Sequence, residues 1–161
     1  PLFQQALQVL PLLLLAQVVQ FLMRLAVGAD FPGWGFFIGP FVASALLVWW
    51  VRADTLPYVT LALATYAAVI VSFLGGIHWG IGFRDGTPGL FGWGVVPSLV
   101  AWLAVMMPPN AGLVISGAML IGCYLVDRRV YPRHGLAAWL TLRFRLSAVA
   151  ALSCFIGAAG A

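Results

Sequence analysis

The sequence predicts an all-α protein, a polytopic transmembrane helical bundle, and three observations predict it. Of the 161 residues, 63% are hydrophobic and only 7% are charged, whereas soluble domains carry about 25% charged residues. The eight basic residues are all arginine and the four acidic residues are all aspartate, so lysine and glutamate, which usually cover solvated surfaces, do not occur. Third, charges, prolines and glycines divide the chain into apolar segments of roughly 20 residues, the length of helix that crosses a bilayer core.

Cutting the chain at these breaks gives six segments. They are Leu2 to Val27, Trp34 to Val51, Tyr58 to Phe83, Leu90 to Met107, Ala111 to Val126, and Leu140 to Ala161. The breaks combine helix-ending glycines and prolines with charged residues. Because the connections are short, neighbouring helices should be antiparallel, and residues 1–161 should form a single transmembrane bundle.

The first segment is interrupted by polar side chains. Gln17, Gln20 and Arg24 are spaced by three and four residues and therefore share one helical face. An amphipathic helix lying at the membrane surface would explain that polar face. We expect the segment to span the membrane, with the glutamine face directed at the bundle or at a partner.

The arginines indicate how the bundle is oriented. If all six segments span, one side of the membrane carries every arginine except Arg52. Such an excess marks the cytoplasmic side. We therefore expect the bacterial inner (cytoplasmic) membrane, or the mitochondrial inner membrane in a eukaryote, with both termini opposite the arginine-rich side. The seven arginines on that side are Arg24, Arg84, Arg128, Arg129, Arg133, Arg143 and Arg145.

The most distinctive stretch runs from Ser72 to Gly80 and contains closely spaced small residues. Ser72, Gly76 and Gly80 recur every four residues, a pattern that lets a second helix approach closely. The same groove could admit the head of a lipid, quinone or other lipophilic ligand. The candidate residues for ligand binding or helix packing are Ser72, Gly75, Gly76, His78, Trp79 and Gly80.

His78 is an ionisable residue within a predicted span, where burial is expensive and function is often found. Three interpretations are open: a structural hydrogen-bond donor to a neighbouring helix, a site for an anionic or carbonyl group, or a metal or haem ligand. The only other histidine, His134, lies in a loop on the same side, but no spacing motif supports haem or zinc. We expect no metal and no cofactor.

Five arginines on the basic side are candidate topology determinants or anchors for anionic lipid. Arg143 and Arg145 point roughly 160° apart on a helix, so they cannot enter one pocket. One of the two can pair with Asp127, and the other can reach a lipid phosphate. The five candidate anchors are Arg84, Arg128, Arg129, Arg143 and Arg145.

The sequence gives little support for catalysis. No paired carboxylates, nucleotide-binding loop or redox cysteine pair occurs, and we expect all four aspartates to lie outside the apolar core. A proton-coupled pump, which needs a buried carboxylate, is disfavoured on that basis. Cys123 and Cys154 are expected to be buried apolar residues. The arginines end apolar segments and form no basic stripe, which excludes nucleic acid as a partner.

Three blocks of sequence resemble a known family. Residues Ser72 to Gly80, Val95 to Leu103 and Leu142 to Leu146 are similar to a family of bacterial membrane proteins that also includes eukaryotic transmembrane protein 69. The resemblance covers residues 34–161 and implies five spans, no assigned activity and a mitochondrial association for eukaryotic members. It also implies that arginine can replace histidine at position 78. Residues 1–27 would be an extra N-terminal helix.

These observations favour a non-enzymatic accessory, assembly or scaffold protein of an energy-transducing membrane. Its small-residue grooves would contact helices of a partner membrane protein or of a second copy. The alternative is a binder or carrier of a small lipophilic molecule, such as a quinone, haem or isoprenoid, whose polar head is held by His78 and nearby arginines.

Overall fold

The computed structural model describes residues 34–161, with side chains from residue 37 onward, and this part of the chain contains helices and no strand. Five α-helices follow one another, joined by short turns. Two 3₁₀ turns, Tyr131–His134 and Ala137–Trp139, connect the fourth helix to the fifth. The helices are α1 Trp34–Trp50, α2 Leu56–Asp85, α3 Gly89–Met106, α4 Pro109–Val130 and α5 Leu140–Gly160.

Helix boundaries fall where the sequence places its breakers. Pro57 lies in the first turn of α2, and Gly86 ends that helix with a φ of 63°, a left-handed conformation that glycine adopts without strain. Pro109 opens α4, since its missing N–H has no role in the first turn. Gly135 ends the first 3₁₀ turn with a φ of 73°. The expected segments therefore agree with the observed helices to within a few residues.

Four helical stretches are long and apolar enough to cross a membrane, and a shorter apolar helix, Phe37–Trp50, precedes them. The four stretches are Leu56–Asp85, Gly89–Met106, Pro109–His134 and Ala137–Gly160. The described residues thus confirm an all-α, multi-pass membrane protein. The predicted span from Leu2 to Val27 lies outside the described residues, and α1, the predicted span from Trp34 to Val51, is shorter than the four long stretches, so a total of six spans stays a prediction.

Helix α2 is the centre of the bundle and contacts each of the other four described helices. Its 30 residues correspond to a length of about 45 Å at 1.5 Å per residue, more than the bilayer core requires. Leu63, Ala67 and Val71 on its inner face are fully buried. They pack with Leu113 and Leu120 of α4 in one hydrophobic cluster, to which α1, α3 and α5 also contribute.

The bundle is oriented with most of its arginines at one end. Arg84 of α2 donates a hydrogen bond of 2.8 Å to the backbone carbonyl of His134. His134 Nδ1 in turn lies 2.5 Å from a carboxylate oxygen of Asp85. These contacts bring the C-terminal end of α2 to the connection between α4 and α5. We call this end, where α2 and α4 finish and α5 begins, the arginine-rich end.

Candidate functional site

A buried cluster of three ionisable side chains joins α2, α4 and α5 near the arginine-rich end. Asp127 of α4 is 0% exposed, His78 of α2 is 1% exposed and Arg143 of α5 is 8% exposed. Arg143 Nε donates to Asp127 Oδ2 at 2.8 Å, and Arg143 Nη2 donates to the same oxygen. We refer to His78, Asp127 and Arg143 as the buried triad.

His78 approaches the other carboxylate oxygen of Asp127. The Nε2 atom of His78 lies 3.2 Å from Asp127 Oδ1, close enough for an ion pair, although its direction is poor for a hydrogen bond. The second ring nitrogen, Nδ1, lies 3.3 Å from the backbone carbonyl of Leu74, one turn earlier on α2. Both ring nitrogens therefore face oxygens. Because a carbonyl can only accept, His78 acts as a donor through Nδ1.

The three side chains of the buried triad depend on one another. A carboxylate without a partner inside a bilayer would be expensive to bury, whereas a close cation and donor compensate it. Asp127 receives two donors from Arg143 on one oxygen and faces the imidazole with the other. Because each partner comes from a different helix, the carboxylate ties α2, α4 and α5 together.

The burial of Asp127 contradicts one prediction from the sequence. The prediction that every aspartate lies outside the apolar core is wrong for Asp127, and the argument against a proton-coupled pump that relied on it no longer holds. The predicted span ends at Val126, one residue before Asp127. In the structure α4 continues to Val130, so Asp127 lies inside this helix. A signal was nevertheless present in the sequence: Leu113, Leu120 and Asp127 follow a seven-residue spacing and lie on one buried face. Pairing of one arginine with Asp127 is confirmed, and the arginine is Arg143.

Arg143 and Arg145 separate as their spacing predicts. Arg143 enters the bundle, so it is not a lipid anchor, whereas Arg145 is exposed. The exposed arginines at the same end include Arg128 and Arg129 at the end of α4. Arg84 is also exposed and forms an ion pair with Asp85 through Nε at 2.6 Å. These four side chains remain candidates for contact with lipid headgroups.

The small-residue block contacts its neighbours through a different glycine from the ones expected. Gly75 is buried, and a Cβ at that position would collide with the backbone carbonyl of Gly94 on α3. Gly76 and Gly80 are exposed, and a Cβ on either would meet no atom of the described chain within 4 Å. The expected close contact at Gly76 and Gly80 is therefore not made within residues 34–161, because one residue of helix rotates the contacting face by about 100°.

The other members of the block have distinct positions. Ser72 is half-buried. Trp79 is partly exposed and donates from Nε1 to the backbone carbonyl of Phe91 at 3.0 Å. Its ring also packs edge-on against Phe91, with centroids 5.7 Å apart. Trp79 therefore fastens α2 to α3 beside the Gly75–Gly94 contact.

Neither histidine is arranged as a metal ligand in the described structure. His134 faces Asp85, and both nitrogens of His78 face oxygens. Within residues 34–161, no group of three or more histidine, cysteine, aspartate or glutamate side chains is placed to hold a metal ion. Cys123 and Cys154 are both buried and form no disulfide with each other.

An apolar cavity of about 310 Å³ lies beside the buried triad. Arg143 and Ser147 of α5 form part of its wall, together with Tyr131. The remaining wall is hydrophobic and comes from α1, α2, α4 and α5 and from the 3₁₀ connection: Phe37, Ile38, Phe41, Ile70, Phe73, Leu74, Ile77, Leu120, Leu136, Trp139, Leu142, Leu146 and Ala150. Phe73 and Trp139 are about half exposed, so the cavity opens at the surface of the bundle.

The helical architecture and the buried triad define a multi-pass membrane protein whose helices are joined by an internal ion-pair network. The chain belongs to the family described as "Protein of unknown function (DUF3429)", which matches residues 34–159. It is 36% identical over 124 residues to transmembrane protein 69 of Xenopus tropicalis, across 71% of this chain and 47% of the relative. The chain thus spans about half the length of that relative. No solved structure matches the chain.

The family resemblance drawn from the three sequence blocks is therefore confirmed. The matched region begins at Trp34, the first residue of α1. It contains every member of the buried triad and every residue that lines the cavity.

Proposed function

We propose that this chain is a non-enzymatic accessory or assembly protein of an energy-transducing membrane, which binds a helix of a partner membrane protein along the outer face of α2. The observation that carries the proposal is the exposure of Gly76 and Gly80. Both occupy the helix positions that permit close approach of a second helix, yet neither is covered by residues 37–161. We refer to Ser72, Gly76 and Gly80 as the outer groove.

Glycine in a helix is costly unless its small size is used. Each glycine in a helix interior destabilises the helix by about 1 kcal/mol relative to alanine. Gly75 and Gly94 offset that cost by letting α2 and α3 approach closely, since a Cβ on either would collide with the other helix. Gly76 and Gly80 gain no such contact within the described helices. A partner helix packed in the outer groove would supply that contact.

The buried triad supports a structural rather than a catalytic role. Its carboxylate, guanidinium and imidazole are directed at one another, which joins three helices and gives the bundle a fixed outer face. A rigid face favours binding of a partner, because less conformational entropy is lost on association. For the membrane, we propose the bacterial inner membrane, or the mitochondrial inner membrane in a eukaryote, on the basis of the arginine-rich end.

The proposal can be tested with matched glycine substitutions. Gly76→Leu and Gly80→Leu would fill the outer groove, whereas Gly122→Leu would add the same side chain on α4, where a Cβ also meets no atom within 4 Å. A photo-crosslinking residue at the exposed Val69 position, which lies beside the groove and does not line the cavity, would capture the bound protein in native membranes. We expect one discrete crosslinked product that disappears in the two groove variants and persists in Gly122→Leu, with all three variants folded.

Mass spectrometry of that product separates the kinds of partner. A product containing another membrane protein supports an accessory role, and a product containing only this chain would mean that the groove joins two copies. Crosslinking to lipid alone, or a product unaffected by Gly76→Leu and Gly80→Leu, would contradict helix docking in the outer groove.

A further inference from the structure

We propose that the cavity beside the buried triad is a binding site for a neutral lipophilic molecule that carries a carbonyl oxygen at one end, of the chemical class of isoprenoid quinones. The site is separate from the outer groove, and it binds a small molecule rather than a helix. Three observations support it: an unpartnered buried hydroxyl in the wall, a guanidinium at the same end, and the charge balance between Arg143 and Asp127.

The hydroxyl is that of Ser147. This residue is 4% exposed, yet its Oγ has no hydrogen-bond partner among the described residues. A buried hydroxyl without a partner costs free energy. Since Ser147 lines the cavity, a ligand oxygen at that end of the cavity would satisfy it.

The guanidinium is that of Arg143, one helical turn before Ser147. Residues four apart share a face of a helix, and both side chains line the cavity. The contacts with Asp127 use Nε and Nη2 of Arg143, and the guanidinium also interacts with the hydroxyl of Tyr131, another residue of the wall. One turn of α5 therefore places a hydroxyl and a guanidinium at the same end of the cavity. A carbonyl oxygen, with two lone pairs, can accept from both.

The pairing of Arg143 with Asp127 selects a neutral head group. Arg143 is the charged residue of the cavity wall, and its positive charge is already compensated by the carboxylate of Asp127, so an anionic head would find no uncompensated cation in that wall. Burial of an uncompensated anion is strongly unfavourable. A carbonyl group needs only hydrogen-bond donors. The site therefore favours a ketone or quinone over a fatty acid or a phosphate.

The shape of the cavity suits such a molecule. A volume of about 310 Å³ is at the lower end for small-molecule sites, enough for one ring and the beginning of a chain. Arg143 lies near the arginine-rich end, whereas Phe41, Ile70 and Ala150 line the part further along the helices. A head group would therefore lie toward the membrane interface, and an isoprenoid chain would leave through the opening beside Phe73.

The binding test uses three probes with chains of similar length: a decyl-substituted benzoquinone, decanoate and decane. Affinity for the full-length protein is measured in mild detergent by titration calorimetry. We expect the benzoquinone to bind at least tenfold more tightly than either other probe. Equal or tighter binding of decanoate would overturn the neutral-head assignment, and absence of benzoquinone binding would overturn the site.

Matched serine variants test the head-group contact. Ser147→Ala should weaken benzoquinone binding about three- to tenfold, the change expected for loss of one hydrogen bond. Ser153→Ala is the control, because Ser153 is equally buried on the same helix but does not line the cavity. Ala150→Phe should abolish binding by filling the cavity. Equal affinities of the two serine variants would contradict a head group held at Ser147.

The location is tested independently of affinity. A photoreactive benzoquinone should label the peptide that contains residues 139–150 in the parent and leave it unlabelled in Ala150→Phe. Labelling confined to parts of the described chain that do not line the cavity, such as α3, would overturn this cavity as the site. Loss of quinone labelling with intact partner crosslinking at α2, or the reverse, separates this site from the outer groove.

Discussion

Asp127 and Arg143 form an ion pair inside the bundle that joins α4 to α5, with Nε of Arg143 2.8 Å from Oδ2 of Asp127. Both residues are at least nine-tenths buried. Such a pair contributes to the fold chiefly through the penalty for breaking it, because removal of one partner leaves the other charge uncompensated.

Removing one partner of this pair should therefore cost more than removing both. We expect Arg143→Leu to lower the free energy of unfolding by about 3–5 kcal/mol, and the double variant Asp127→Leu with Arg143→Leu to recover much of that loss. Arg145→Leu, an exposed control on the same helix, should change stability by less than about 0.5 kcal/mol. Thermal unfolding in detergent would measure all three. Additive losses in the double variant would show that the two charges are not coupled.

The neighbouring His78 should be replaceable by arginine but not by leucine. Arginine at this position can donate to Asp127 Oδ1, the oxygen that His78 Nε2 now faces at 3.2 Å. Leucine would replace the polar imidazole that faces this oxygen with an apolar group, and poorer compensation of the buried carboxylate costs about 1–3 kcal/mol. The melting temperature of His78→Arg should therefore stay near that of the parent, while that of His78→Leu falls. The opposite order would exclude the donor role.

A metal or haem role for His78 makes a different prediction. Arginine is a poor metal ligand, so an optical or metal-content signal in the purified parent that vanishes in His78→Arg would identify ligation instead. The donor interpretation expects no such signal that depends on position 78, since both nitrogens of His78 already face oxygens.

Two adjacent glycines on α2 should respond in opposite directions to the same substitution. Gly75→Ala places a methyl group against the backbone carbonyl of Gly94, and overpacking of this kind costs about 1–3 kcal/mol. Gly76→Ala meets no described atom within 4 Å and should keep or slightly raise helix stability, by up to about 1 kcal/mol. Comparison of the two melting temperatures checks the direction. A destabilised Gly76→Ala would mean that another part of the chain or a bound protein covers Gly76.

The sequence predicts the helices of this fold better than their faces. Boundaries such as Gly86 and Pro109 are local, because a breaker ends or opens a helix whatever surrounds it. Which glycine meets another helix depends on packing, and a shift from Gly76 to Gly75 rotates the contact by about 100°. All-apolar spans provide no amphipathic pattern to identify the inner face.

The buried triad and the cavity were harder to predict for a similar reason. His78 could be singled out, since ionisable residues are rare in spans. Asp127 directly precedes Arg128 and Arg129, and such a run of charges usually marks the end of a span. Asp127 is buried because α4 continues past it to Val130. The cavity is formed by side chains from four helices and the 3₁₀ connection, and no local pattern in any one of them indicates it.

The final prediction concerns the orientation of the bundle, which single cysteines can report. Cys123 and Cys154 are buried, so a membrane-impermeant maleimide should react with them slowly in the intact parent. Ala138→Cys would place an exposed thiol at the arginine-rich end, and Ala53→Cys an exposed thiol at the opposite end.

We expect the maleimide to reach Ala138→Cys only from the cytoplasmic or matrix side, because an excess of arginine marks that side. It should reach Ala53→Cys and Ala161→Cys only from the other side, since α1, α3 and α5 run in the same direction in an antiparallel succession. Labelling of Ala53→Cys and Ala138→Cys from the same side would refute the spanning arrangement of α2.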